Sequence, residues 1–188
     1  QLDRPVRAGR HQVALGPAVD PHRPQPVAGQ SGDPAGVGPE LIVKLLAEPK
    51  TAEMGDVTLI GAQSVMGPSF HMHSWHGLGA SGFERGVAGQ HNGSFMIAML
   101  LEGLSLIKQG KADALCFAPL NKQALRAGGM TQEDELRWFA EQLSFKGVCG
   151  ELNVLDNLWT SRVTSHIALK DVSHHVTADR VSGAIQMI

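Results

Sequence analysis

The chain predicts an α/β fold, and three observations carry the prediction. Short apolar runs that stop at glycine or proline, such as "DVTLIGA" and "ADALCFAP", have the composition of buried strands. Between them lie longer segments with apolar residues three and four apart, the spacing of one helical face. No short internal repeat interrupts this alternation. Strand and helix in turn argue for a largely parallel sheet.

Along the chain, residues 1–30 combine prolines with scattered arginine and histidine and show no period, so they read as a disordered or aberrant arm. Residues 31–188 then read as one partial domain. "SGDPAGVGPE" bends through Gly32, Gly36 and Gly38 into a helix, with Pro39 suited to its first position and Glu40 to the positive end of its dipole. Leu41, Ile42, Leu45 and Leu46 form its stripe, which ends near Pro49. Asp56 opens a strand. Residues 62–91 are rich in glycine and lack a pattern, so they read as a long loop or insert.

Asn92 is placed to cap a long helix with Met96, Leu100, Leu104 and Ile107 on one face, widened by Ile97 and Leu101. After "ADALCFAP", a buried strand, "NKQALRAGG" makes a short helix. Thr131 and Asp134 are spaced as a capping box for "QEDELRWFAEQL", in which Trp138 and Phe139 belong to the core. "ELNVLD" and "SRVTSHIAL" read as two more strands. Thr177 caps a final helix striped by Val181, Ala184, Ile185 and Ile188, and the stripe is still running at the last residue, as in a truncated chain.

Composition narrows the function classes. Of 188 residues, 16 are Lys or Arg and 18 Asp or Glu, a formal charge of −2, so no electrostatic footprint for nucleic acid or an anionic membrane is present. The longest apolar run, 95–107, carries Glu102 and is too short to span a bilayer. Cys116 and Cys149 are too few for a disulfide framework and read as buried thiols of a reducing compartment. With no leader pattern, cytoplasm is the expected location.

Four places offer chemistry. The glycine bend is either a plain turn or a cradle for an anion, and Asp33 within it disfavours phosphate while suiting a hydroxyl or an amide. Asn121 and Lys122 follow the carboxyl end of a strand, where ligands of α/β sheets bind; Lys122 is either an acid, base or anion partner, or a solvated lysine. His166, on the polar side of its expected strand, is either a metal ligand or simply hydrogen-bonded in place. His71, His73 and His76 make a weaker metal candidate, since nothing rigid fixes them. Glu133, Asp134 and Glu135 are consecutive and splay around a helix turn.

Taken together, "GDPAGVGPELIVK", "ADALCFAPLNKQAL", "DELRWFAEQL" and "LDNLWTSRVTSHIALKDV" resemble the amino-terminal portion of the 4-hydroxythreonine-4-phosphate dehydrogenase (PdxA) family. The resemblance implies an incomplete three-layer α/β/α fold like that of isocitrate and isopropylmalate dehydrogenases. It further implies a homodimer with an interfacial active site and NAD- or NADP-dependent oxidation of a secondary alcohol, followed by loss of CO₂. A divalent ion, Zn, Mg or Co, would be held by three histidines, of which His166 matches the first and the other two would lie past Ile188. Lys122 then falls on a catalytic position and Asp33, Asn121 and Glu135 on substrate-binding ones. No cofactor-binding residue is identifiable.

Three departures accompany the resemblance. Glu135 and Leu136 stand where many members carry a His-Thr pair, which leaves room for another hydroxy acid or an aromatic dihydrodiol carboxylate as substrate. "RPQPVAGQ" puts prolines where the family expects a strand. Residues 62–91 depart from the family pattern, as a locally shifted reading frame would leave them. An inactive fragment that binds only a partner or an anion, or a histidine-rich metal module, are the competing readings.

Overall fold

β1, Pro26–Gln30, is the strand around which the first unit is built. It pairs in parallel with β2, Asp56–Gly61, on one side and with β4, Ala114–Phe117, on the other. β3, Ser74–Gly77, joins β2 in parallel, giving the order β3-β2-β1-β4. The computed structural model describes residues 26–66, 74–79, 81–155 and 157–188. These form two compact units, 26–131 and 132–188.

Two expectations about strands change here. Residues 26–30 belong to the sheet and not to an arm, because Pro26 stands at the strand's first position, where its missing donor costs least, and its carbonyl still accepts from the Asp113 amide at 2.7 Å. The rest of the expected arm lies outside the described residues. Likewise the 62–91 segment contains α3, Gln63–Met66, and β3. Its later part is anchored as well: the Gly86 amide donates to the Ala35 carbonyl at 3.0 Å, and Phe83 lies 4.8 Å from Phe95 between ring centres.

The core of this unit is the contact of α4, Gln90–Lys108, with the sheet. Met96, Met99, Leu100 and Leu104 are buried, as are Ala28 and Ile60, which the strand register puts on the same face of the sheet as Gln30; Leu59, also buried, lies on the opposite face. The burial of so many large side chains on one helix is the main hydrophobic contribution to this layer, at roughly 2 kcal/mol each. The buried stripe runs through Phe95, Met99 and Leu106, while Leu101 is 43% exposed, so the apolar surface widens opposite to the expected side. Gly89, not Asn92, is the N-cap; Asn92 sits within the first turn and donates from Nδ2 to the Val87 carbonyl at 2.6 Å.

α5, Lys122–Ala127, crosses α4 closely enough that a Cβ on Gly93 would collide with the Ala124 carbonyl. Only glycine permits that approach. α1, Gly38–Ala47, begins as expected with buried Gly38 and Pro39, and α2, Pro49–Met54, follows it. Its Leu41 and Leu45 are 46% and 52% exposed, so the predicted stripe is largely uncovered among the described residues. β4 is an edge strand among those residues, with Phe117 exposed; the expected buried strand and buried thiols give way to exposed Cys116 and Cys149.

The second unit starts with α6, Glu135–Gln142, capped by Asp134, whose carboxylate accepts from the Arg137 amide at 2.8 Å. The cap is therefore three residues later than the Thr131 expected from the spacing. Trp138 is buried and Phe139 half-buried, their rings edge to face at 5.3 Å. β5, Leu152–Leu155, and β6, Leu158–Ser161, form an antiparallel pair. A 3₁₀ turn at Leu169–Asp171 and α7, Val172–His175, lead to α8, Ala178–Gln186. Thr177 caps α8 through the Arg180 amide, as expected, although Ile185 is 66% exposed.

Candidate functional site

The expected site residues fall into the two units separately. In the first, the glycine bend folds onto the loop after β4: the Asp33 amide donates to the Pro119 carbonyl at 3.0 Å. A Cβ on Gly32, whose φ is +76°, would lie 2.7 Å from that same carbonyl oxygen. One on Gly38 would meet the Ser31 carbonyl, and one on Gly36 the Asp33 carboxyl at 3.3 Å. Gly32 and Gly38 are thus required by backbone-on-backbone packing, while at Gly36 a side chain would only crowd Asp33. Of the two readings of the bend, the turn accounts for them without a ligand.

Asp33 is buried and its Oδ1 accepts from the Ala35 amide at 2.9 Å, an Asx turn that stiffens the bend. Asn121 caps α5, its Oδ1 accepting from the Ala124 amide at 3.0 Å. Its Nδ2 has no acceptor among the described residues. Lys122 is exposed in the first turn of α5. Sequence reasoning missed Gln30 and Ser31, which are fully buried at the carboxyl end of β1. Gln30 Nε2 donates to the Met96 carbonyl at 3.1 Å, while its Oε1 is buried with no partner among the described residues. A polar residue ending an otherwise small, apolar strand was the available signal.

A cleft of 270 Å³ lies beside the bend, lined by Gly36, Pro39, Glu40, Phe83 and Arg85 among others. Arg85 is paired with Glu40 at its mouth, both side chains exposed. With Asp33 and Glu40 flanking the bend, its field does not favour a phosphate.

In the second unit the expected strand around His166 is corrected. β6 ends at Ser161, and residues 162–168 are irregular because His166 has φ +56°, a left-handed conformation no strand can contain. The placement of His166 on the polar side of a strand therefore does not apply. His166 is exposed on this loop. Glu135 is half-buried in the first turn of α6.

A cleft of 350 Å³ is lined by Thr164, Ser165 and Ile167, the neighbours of His166, and by Asp134, Arg137, Glu151, Arg162, His175 and Arg180. Glu151 and Arg162 flank the β5–β6 ladder and pair at 3.0 Å. Arg137 pairs with Glu133 and reaches Asp134 at 3.8 Å. Arg180 Nη1 lies 3.1 Å from His175 Nδ1. The three arginines were not singled out from the sequence, because they are far apart in it and only the hairpin and the α7–α8 turn gather them.

Among the described residues no three His, Cys, Asp or Glu side chains converge on a point. His166 brings one imidazole, so these residues do not by themselves make a cation site. His71 and His73 lie outside the described residues; of His76 only its backbone place on β3 is described. No described helix is long and apolar enough to cross a membrane.

Comparison with known proteins places this arrangement. The family model described as "Pyridoxal phosphate biosynthetic protein PdxA" matches residues 43–188. A provisionally named 4-hydroxythreonine-4-phosphate dehydrogenase 2 of Pseudomonas aeruginosa is 40% identical over 182 residues, covering 84% of this chain and 54% of that relative. A provisionally named D-threonate 4-phosphate dehydrogenase of Bradyrhizobium diazoefficiens is 30% identical, covering 83% and 52%. The crystal structure of a 4-hydroxythreonine-4-phosphate dehydrogenase from Burkholderia phymatum superposes with a TM-score of 0.75 at 24% identity, covering 86% of this chain and 56% of that one. That likeness bears out the α/β/α fold class. The chain spans about half the length of the curated relatives it matches. With the match running through both units and the His166 loop, the chain belongs to the PdxA family.

Proposed function

We propose that the polypeptide carrying this chain oxidises the secondary alcohol of a phosphorylated hydroxy acid of the 4-phosphooxy-threonine kind. The alcohol carbon gives a hydride to NAD or NADP and the hydroxyl gives up a proton; the β-keto acid so formed then loses CO₂. The observation that carries this reading is the family match over residues 43–188, with "TSHIALKDV" inside it.

His166 is assigned to a divalent ion, whose other ligands must come from outside the described residues. When bound, that ion would supply Lewis-acid polarisation of the alcohol oxygen. The tasks of this chain's own residues are separable from it. Lys122, exposed at the first turn of α5, is assigned to proton transfer or to charge pairing with the substrate. Asn121 offers its Nδ2 hydrogens as donors, and Glu135 is assigned to the substrate's hydroxyl or ammonium end, where a carboxylate is tolerated. Asp33 acts on the bend that supports this edge through its bond to Ala35. The exposed Leu155 and Leu158 of the hairpin, at 70% and 60%, support the expected homodimer. A small soluble substrate and the chain's balanced charge suit the cytoplasm.

A second reading concerns the substrate alone. Glu135 and Leu136 replace the expected His-Thr pair, and one relative is named for D-threonate 4-phosphate. A different hydroxy acid, or an aromatic dihydrodiol carboxylate, fits that change. The test is reduction of NAD by the full reading frame's product, offered each substrate class with and without a chelator. Turnover of 4-phosphooxy-threonine lost on chelation supports the first reading; turnover of threonate 4-phosphate alone supports the second, and none with any hydroxy acid refutes both.

A further inference from the structure

We infer that Phe83, Glu84 and Arg85 form a hinged strap beside the glycine bend, latched by the Phe83 ring and able to open without unfolding of the sheet or α4. Gly82 and Gly86 bound it, with φ of +80° and +75°, and a Cβ on either would meet nothing within 4 Å. Packing does not require glycine at these two places. What glycine supplies there is backbone freedom on both sides of a short segment.

Both ends of that segment are pinned to the first turn of α4. Ahead of Gly82, the Ser81 carbonyl lies 2.9 Å from His91 Nε2; a carbonyl only accepts, so this nitrogen carries the proton. Beyond Gly86, the Val87 carbonyl accepts from Asn92 Nδ2 at 2.6 Å. The part between is held by few contacts. Phe83 is half-buried, its ring stacked on His91 at 4.9 Å between centres and tilted against Phe95 at 4.8 Å. The Gly86 amide donates to the Ala35 carbonyl at 3.0 Å. Arg85 and Glu40 pair with both side chains exposed, a tie that water and salt weaken. Withdrawing one ring and one amide therefore frees the strap, at a cost far below that of separating α4 from the sheet.

Gly82, Phe83 and Arg85 line the 270 Å³ cleft together with Gly36 of the bend, Pro39 of α1 and Val65 of α3. The bend follows the carboxyl end of β1, the edge at which open α/β sheets take their ligands. An open strap withdraws its residues from that lining, so the strap governs access to the bend.

The experiment is native-state hydrogen exchange of the full reading frame's product at several low urea concentrations. The Gly86 amide should exchange about tenfold or more faster than those of Met99 and Leu100, with little dependence on urea, as a local opening does. Phe83→Ala should speed it a further tenfold or so, and Gly82→Ala about fivefold, since alanine penalises the left-handed backbone of the closed strap. Gly82→Ala touches no packed atom, so it stays informative even where Phe83→Ala fails to fold. In a second arm, the rate at which iodoacetamide alkylates a Val65→Cys variant, read on its own peptide, should rise about fivefold or more when Gly82→Ala is added. Gly86 exchange that matches Met99 and Leu100 in rate and urea dependence overturns the inference. So does Gly86 exchange, or Val65→Cys alkylation, that Gly82→Ala leaves unchanged.

Discussion

The amide of Asp33 donates to the carbonyl of Pro119 across 3.0 Å, tying the glycine bend after β1 to the loop after β4. Gly32 stands directly against that bond, with φ +76° and no room for a side chain. Gly82 has nearly the same φ, +80°, with nothing within 4 Å of the place a methyl group would take. Replacing each by alanine separates strain from collision. Gly82→Ala should cost about 1 kcal/mol for the left-handed backbone alone. Gly32→Ala should cost roughly 1 to 3 kcal/mol more, read from urea unfolding. Equal losses would mean the two loops are not packed together.

Gly93 gives a prediction whose sign is informative. In an ordinary exposed helix, glycine to alanine stabilises by about 1 kcal/mol. Here the new methyl would strike the Ala124 carbonyl, so Gly93→Ala should destabilise by roughly 3 kcal/mol and loosen α5. Hydrogen exchange of the 122–127 amides would report that loosening directly.

The start of α6 separates two capping assignments. Asp134→Ala removes the side chain that accepts from the Arg137 amide and should cost about 1 kcal/mol. Thr131→Ala should fall within about 0.5 kcal/mol of the parent. A reversal of that order in thermal melts would restore the capping box.

Cys116 is accessible to solvent yet partly desolvated by its surroundings on β4, which raises its thiol above the ordinary value of 9.0. The thiolate is the reactive form, so less of it is present at any mildly alkaline pH. Alkylation of Cys116 by iodoacetamide at about pH 8 should therefore be slower than that of free cysteine, and its rate profile should be displaced to higher pH. A rate equal to or above that of the free amino acid would contradict the packing around β4.

How far these features were legible in the sequence depends on whether their cause is local. β2, β4, β5 and the cap at Thr177 follow from composition and spacing, and the structure has them where expected. β1 was hidden because its single proline reads as a breaker, whereas its position at the strand end makes it harmless. β3 was hidden because the pairing that holds it to β2 is non-local. At the candidate site, Asn121 and Lys122 were found at a strand's carboxyl end by a rule of topology. The loop conformation at His166 was not, since a left-handed histidine leaves no mark in hydrophobic periodicity. Arg162 and Arg180 meet one cleft only through folding, so no spacing could have paired them.

The imidazole at position 166 is the proposed metal ligand within this chain. In the full reading frame's product, steady-state reduction of NAD with a phosphorylated hydroxy acid and a saturating divalent ion should fall by roughly a hundredfold or more in His166→Ala, with tight metal binding lost in parallel. Parent-like turnover and metal stoichiometry in that variant would contradict the assignment.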